Sequence, residues 1–247
     1  MKQVIKKIFN YFGFELVKLS SEGVGSMAIL LKSLKERGLS CTSIFDVGAN
    51  EGNWSKMAKH YFSNADYVLI EPLEEMASAL EELCTKNENF NFIKAAAGNH
   101  DGESVITIWD DMVGSSLLPK QNAEFLETGK QRVIPIRSID SLIDEHQLKI
   151  PELVKLDIQG YELEALKGAT SVFGKTEVFI LEVSMFKHHD APESPEFHDV
   201  VDFMNSKGYV VYDFPGFLRR PYDGALGQCD ICFVKKSGFL RTTSRWN

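Results

Sequence analysis

The stretch Asp46-Val47-Gly48-Ala49-Asn50-Glu51-Gly52-Asn53-Trp54-Ser55 constrains this chain more than any other. It follows the apolar pair Ile44-Phe45 and leads into an amphipathic segment. That is the grammar of a strand, a tight glycine turn and a helix whose first N–H groups face a ligand. Gly48 lets the chain turn sharply, and Gly52 admits backbone or ligand where a Cβ would clash. Nineteen residues beyond Gly52 sits Glu71, where the apolar run Tyr67-Val68-Leu69-Ile70 ends in Glu71-Pro72. A carboxylate roughly 20 residues past the glycine loop, at the tip of the next strand, accepts hydrogen bonds from both ribose hydroxyls of a nucleoside. The spacing predicts a site for an adenosine-containing cofactor.

What the loop lacks narrows the choice. A dinucleotide site usually carries G-x-G-x-x-G, its three glycines packed around a pyrophosphate. Here the pattern is Asp46-x-Gly48-x-Asn50-x-Gly52, and Asp46 and Glu51 would repel a pyrophosphate. The same two acids suit S-adenosyl-L-methionine, which carries an ammonium and a sulfonium and no phosphate. An NAD-dependent oxidoreductase is therefore the lesser alternative. A catalytically silent binding or scaffold protein is another, since fold alone never proves activity.

Length and charge bound the remainder. A chain of 247 residues, 44% hydrophobic, suits one large globular domain or one domain with a small N-terminal appendage. It buries roughly 70–75% of its unfolded surface and needs no disulfides. A formal net charge of −8 argues against a nucleic-acid partner, which calls for a basic face. No stretch approaches the ~20 apolar residues of a membrane span, and no secretory signal is legible. With four cysteines, the expectation is a reducing cytoplasm. The lone Cys229-Asp230-Ile231-Cys232 lacks a second ligand pair at zinc spacing and reads as a piece of buried strand.

Residues 1–25 form a separate segment. Lys2, Lys6 and Lys7 accompany a stripe of Ile5, Ile8, Phe9 and Phe12. This reads as an amphipathic helix that packs on its own domain or a second subunit, with contact to an anionic membrane surface as the weaker reading. A connector over 20–26 follows, and residues 26–247 make the main domain. Met27, Leu30, Leu31 and Leu34 form one helical face stopped by Gly38. Strands are then expected at 44–48, 67–71, 91–95, 153–158, 177–183, 209–213 and 229–234, with helices between most of them. The class is α/β: a doubly wound, mostly parallel seven-stranded sheet, the last pair open to antiparallel pairing. Gly48, Glu71 and Ala96 fall at carboxyl ends of strands, where such sheets bind ligands. Residues 99–150 break the alternation with two further strands around Gly114-Ser115-Ser116-Leu117 and a short helix, a β-containing insertion placed as a substrate lid. Ser194-Pro195-Glu196 is expected to open a helix with serine as N-cap and proline at N1.

A second dense cluster is Lys155-Leu156-Asp157-Ile158-Gln159-Gly160-Tyr161-Glu162. A strand ends in Asp157, a glycine turns the chain, and Glu162 enters the first helical turn, where it can also complement the helix dipole. Two carboxylates at the mouth of a crevice are what a proton acceptor or a cation site requires.

With both clusters in view, the chain resembles the FkbM-type family of S-adenosylmethionine-dependent methyltransferases. The resembling pieces are Asp46 to Gly52, Glu71-Pro72, Ala97-Gly98, Gly114-Ser115-Ser116, Lys155 to Glu162 with Leu166-Lys167-Gly168, and Glu182-Val183, in the family's order over about residues 44–185. The resemblance implies a Rossmann-like class I methyltransferase fold and methyl transfer to a hydroxyl of a sugar, glycan or secondary metabolite. By that resemblance Asp46, Gly48, Asn50 and Gly52 would hold the methionine end of the cofactor. Glu71 and Pro72 would take the ribose, and the segment around Ala96 the adenine, with Asp157 also at the cofactor. Asp157 would remove or orient the acceptor proton, with Glu162 and His188 (or His189) as the other catalytic candidates. Alternatively, Asp157, Glu162 and Glu182 would hold a divalent cation that acidifies the acceptor. The residue pattern leaves metal dependence, oligomeric state (a homo-oligomer included) and the role of Arg219-Arg220-Pro221-Tyr222 open. That last loop reads as solvated, or as a phosphate contact on the acceptor.

Overall fold

A computed structural model describes residues 24–110, 112–189 and 191–245. The helix expected over residues 1–20 lies outside the described residues. Seven strands form one sheet: β1 (Ser43–Val47), β2 (Asp66–Ile70), β3 (Phe90–Ile93), β7 (Leu153–Leu156), β8 (Val178–Ser184), β9 (Tyr209–Arg219) and β10 (Leu226–Lys235). Their order is β3-β2-β1-β7-β8-β10-β9. β1, β2, β3, β7 and β8 pair in parallel, and β10 runs antiparallel to both β8 and β9. The doubly wound, mostly parallel sheet is as expected.

The central strands are buried on both faces, which is why they read as unbroken apolar runs. Ile44, Leu69, Leu153 and Ile180 point to one face and pack under α1 (Met27–Glu36), α2 (Asn53–Lys59) and α3 (Glu74–Lys86). Phe45, Val68, Val154 and Phe179 point to the other. There they meet α5 (Ile139–Glu145), α6 (Glu162–Lys167) and α7 (Phe197–Ser206), while the five-residue α4 (Ala123–Glu127) buries nothing. Cys229 and Cys232 fall in opposite layers, as an odd spacing on a strand demands, so they are two core residues and not a ligand pair. α1 ends at Arg37 in a Schellman arrangement, with Gly38 N donating to Lys35 O and Leu39 N to Leu34 O.

Three expectations are corrected. The third strand stops at Ile93, and Ala96–Gly98 leave it to become β4 of a second sheet. β4 pairs with β6 (Gln131–Ser138), which pairs with β5 (Gly102–Thr107), so the insertion is a small sheet of its own. The helix that follows the second cluster, which the sequence carries from about Tyr161 through Gly168 to Val172, breaks at Gly168, leaving a separate 3₁₀ turn at Thr170–Val172. α7 does not start at Ser194-Pro195. Its N-cap is Glu196, which exchanges bonds with Asp199 in a capping box, because the Ser194 hydroxyl already accepts from His188 N at 2.6 Å.

Candidate active site at the carboxyl edge of the sheet

The first loop turns immediately after β1. Gly48 N and Ala49 N both donate to Ile70 O at the end of β2, and Gly52 N donates back to Ala49 O. Gly48 is at φ +78°, and a Cβ there would lie 1.9 Å from the Asp157 carbonyl oxygen. The two loops that end β1 and β7 therefore approach as closely as they do because position 48 has no side chain. Gly52, at φ +70°, is required for a different contact than expected: its Cβ would strike Leu83 Cδ2 at 2.5 Å, in the core beneath α3. Asn50 sits at φ +48°, a conformation that asparagine tolerates better than most residues.

This loop and the strand ends enclose a cavity of about 340 Å³. Gly48, Asn50, Glu71, Pro72, Ala96 and Asp157 line it, together with Trp54, Lys155, Gln159 and Tyr161. The insertion closes it from above with Ile106, Met112, Ser115 and Leu117. The Ser116 hydroxyl fastens that cover by donating to Gln159 O at 2.8 Å.

Glu71 is 5% exposed and closes the far side. One oxygen accepts from Asn50 N at 2.9 Å and the other from Leu73 N at 3.0 Å. Burial raises its pKa against those two bonds. Each oxygen keeps a lone pair for a further donor.

Asp46 is not on the cavity wall. It is fully buried behind the loop, accepting from Ser55 Oγ at 2.7 Å and lying 3.8 Å from Lys155 Nζ. Burial raises its pKa; Lys155 and Ser55 pull the other way. Lys155 has no role that the sequence pattern announces, yet it joins the two motifs. Burial works against its charge, but Asp157 at 3.0 Å and Asp46 outweigh it and hold the ammonium above its ordinary value. Only the folded register of β1 beside β7, with Asp46 opposite Lys155, brings these groups together.

Asp157 accepts from Lys155 on one oxygen and from Gln159 Nε2 at 3.2 Å on the other. Burial resists its ionisation, yet Lys155 and the hydrogen bonds of Glu182 and Gln159 hold it below the usual carboxylate range. Glu182, at the end of β8, takes the opposite course. Burial and the negative charge of Asp157 push it up to about 9, so it carries the proton of the pair at neutral pH. Its carboxyl also accepts from Gln159 at 2.7 Å and Gln228 at 3.1 Å.

Glu162 turns inward, away from the cavity. At 1% exposure, its Oε1 accepts from Ile158 N at 2.9 Å and Gly160 N at 3.3 Å, so it clamps the loop that carries Asp157 and Gln159. Burial lifts its pKa to about 7. The folded chain then holds this proton more tightly than the unfolded one, so stability falls as pH rises from about 4.5 through 7. Glu162→Gln preserves the accepting oxygen and cannot ionise. It should remove about 3 kcal/mol of that fall between pH 5 and 8. Urea midpoints of both proteins across that range check this; parallel curves would clear Glu162 of the titration.

His188 does not line this cavity. It lies in a second one of about 660 Å³, with His189, Lys187, Arg219 and Arg220, that shares Gln159 with the first. Among the described residues no three carboxylate, histidine or thiol groups converge as metal ligands.

The residues present fit a nucleoside-linked cation. Of three buried side-chain polar atoms without partners among the described residues, two, Trp54 Nε1 and Ser115 Oγ, belong to residues lining the first cavity. Its charged wall is Glu51, Glu71 and Asp157 against the one Lys155.

Comparison with known proteins agrees with the geometry. The profile of the methyltransferase FkbM domain matches residues 46–211. No curated protein matches. Among solved structures, a methyltransferase FkbM from Methylobacillus flagellatus KT superposes with a TM-score of 0.49 at 18% identity, over 77% of this chain and 43% of that one. A putative rRNA methylase from Clostridium thermocellum gives 0.50 at 9% identity, over 86% and 97%. The 1,6-didemethyltoxoflavin-N1-methyltransferase of Burkholderia thailandensis, with S-adenosylhomocysteine bound, gives 0.45 at 10%, over 84% and 76%. The chain thus spans less than half the length of the first of these.

Proposed function

This chain belongs to the methyltransferase FkbM domain family, whose cofactor is S-adenosylmethionine, and we propose that it moves the methyl group to a hydroxyl oxygen of a sugar, glycan or other small-molecule acceptor. The observation that carries this reading is Asp157 on the wall of the first cavity, with Lys155 Nζ 3.0 Å from one carboxylate oxygen and the other tied through Gln159 to the second cavity.

The cofactor supplies a methyl group on a positively charged sulfur. Glu71 takes the ribose through the free lone pairs of its two oxygens, and Pro72 and Ala95 to Ala97 form the apolar bed for the adenine. Gly48, Asn50 and Trp54 border the methionine end. Asp46, Gly52 and Glu162 act one layer back: they hold the loops and touch no reactant. Most of the acceleration comes from aligning the acceptor oxygen behind the methyl carbon. Asp157 would accept a hydrogen bond from the hydroxyl and take its proton as the methyl carbon's bond to sulfur gives way to the new O–C bond, the electron pair staying on the neutral thioether sulfur, so a weak base suffices. Lys155 keeps Asp157 ionised, and the protonated Glu182 steadies it from the other side.

We divide the chain into an N-terminal segment, 1–25, and a catalytic domain, 26–247, in which 99–150 covers the bound cofactor and faces the acceptor. Among the described residues no helix is long and apolar enough to cross a membrane. The four free thiols support a cytoplasmic location, and the net charge of −8 speaks against a nucleic-acid acceptor.

Glu71→Ala should weaken S-adenosylhomocysteine binding by about 10–100-fold, since charged hydrogen bonds are worth about 1.5–3 kcal/mol each. Unchanged affinity by calorimetry would remove Glu71 from the site. The reaction class is tested by supplying the methyl-labelled cofactor with a panel of sugars and glycans. Label in an alkali-stable ether supports the assignment; label on nitrogen, or only on added RNA, refutes it.

A further inference from the structure

The second cavity is electrostatically unlike the rest of the chain. Although 35 of the 247 residues are acidic, none of the cavity's described lining residues is. Lys187, just after β8, and Arg219, at the end of β9, both line it. Neither has a carboxylate within ion-pair distance among the described residues; Arg219 gives one bond to Gly224 O at 2.9 Å. Arg220 pairs with Asp223, and its guanidinium lies 3.8 Å from the centroid of the Phe186 ring. Behind the wall, Glu182 accepts from the lining residues Gln159 and Gln228, and its raised pKa keeps it protonated at neutral pH, so it cancels none of the charge of Lys187 and Arg219.

Two cations that line one cavity, neither paired with a carboxylate among the described residues, repel each other, and an anion seated between them relieves that cost. The planar fork of Arg219 suits a phosphate's paired oxygens, and Lys187 adds a point charge. Trp109, Phe186 and Leu218 give the same cavity an apolar side, and Gln159 joins it to Asp157. We propose that this cavity receives the phosphate-ester end of the acceptor, so that the enzyme methylates the hydroxyl of a phosphorylated sugar or glycan. This rests on the methyltransferase assignment and narrows its acceptor. In the bound arrangement the phosphate meets Lys187 and Arg219, the sugar lies along Phe186 and Trp109, and the reacting hydroxyl reaches Asp157.

The test is calorimetric titration of the full chain, saturated with S-adenosylhomocysteine, with inorganic pyrophosphate at low salt. Wild type should bind pyrophosphate, and Lys187→Ala/Arg219→Gln should bind it at least tenfold more weakly, about 1.4 kcal/mol. Both side chains are exposed, so the double variant should keep the affinity for S-adenosylhomocysteine and its melting temperature. Lys207→Ala, remote from the cavity, should bind pyrophosphate like wild type. Absence of pyrophosphate binding, or equal binding by the double variant, overturns the proposal. Failure of the wild type to bind S-adenosylhomocysteine is a separate outcome and strikes the cofactor assignment instead. Competition by glucose 1-phosphate against pyrophosphate supports the proposal with a soluble source. Competition by phosphatidylcholine vesicles carrying a polyprenyl phosphate supports it with a lipid-linked one. An RNA oligomer binding more tightly than either, through the same two residues, refutes it.

Discussion

Asp157→Asn should lower turnover by about 10²–10⁴-fold while leaving S-adenosylhomocysteine affinity within a few-fold of wild type. The amide has the same shape and still accepts from Lys155, which retains Asp46 as its counter-charge. What it loses is the ability to take a proton from the acceptor hydroxyl. The split is diagnostic: a residue that only shapes the cavity would change cofactor affinity and turnover together, whereas Asp157 should change turnover alone. A single-turnover assay at saturating cofactor measures it, and wild-type turnover in the variant would strip Asp157 of its role. Protonated Glu182 gives a smaller counterpart, because it steadies Asp157 and does not meet the acceptor itself.

Gly48→Ala should be the most damaging glycine-to-alanine change among the described residues. The new Cβ would lie 1.9 Å from Asp157 O and 2.8 Å from its carbonyl carbon, both backbone atoms that cannot swing aside. Relief requires β1 and β7 to part at the carboxyl end of the sheet, which displaces Asp157 and opens the floor of the cofactor cavity. Left-handed backbone costs a non-glycine residue about 1–2 kcal/mol, and overpacking about 1–3 more. For a chain of this size that lowers the melting temperature by roughly 5–15 °C. Cofactor binding should weaken by well over tenfold, since displacement by about 1 Å is enough to misalign a site. Differential scanning calorimetry with and without S-adenosylhomocysteine separates the two effects. A variant with wild-type melting and affinity would mean that the β1 and β7 loops do not meet as described.

The contrast between these two residues shows what the sequence could and could not reveal. The central strands were legible because a parallel sheet covered on both faces turns each strand into a run such as Ile44-Phe45 or Leu153-Val154, with no polar alternation to confuse it. Glycine at 48, the carboxylate at 71 and Asp157 at a strand tip were legible because chain geometry dictates where a βα unit can hold a ligand. Side-chain direction was not. Asp46 and Glu162 stand in the motifs as openly as Asp157, yet the fold points one behind the loop and the other onto Ile158 N and Gly160 N. Lys155 was hidden for the converse reason. A lysine inside an apolar strand signals a buried partner, but naming that partner requires the register of β1 on β7. The cap of α7 failed on a local competition: the serine that should have capped it was already bonded to His188 N, and Glu196 with Asp199 took over. His188 belongs with the second cavity because β8 runs on past Glu182 before the chain turns. No periodicity in residues 185–195 announces that. Gln159, at φ +54° and bonded to Asp157 and Glu182, carries no sequence signal apart from its place beside Gly160.

The central claim, that the loop after β1 and the tip of β2 hold S-adenosylmethionine, is tested most directly by calorimetric titration of the purified chain with S-adenosylhomocysteine, with NAD titrated in parallel. Binding of the first near micromolar, about −8 kcal/mol, with no heat from NAD, is the predicted result. Binding of NAD alone, or of neither, would contradict it.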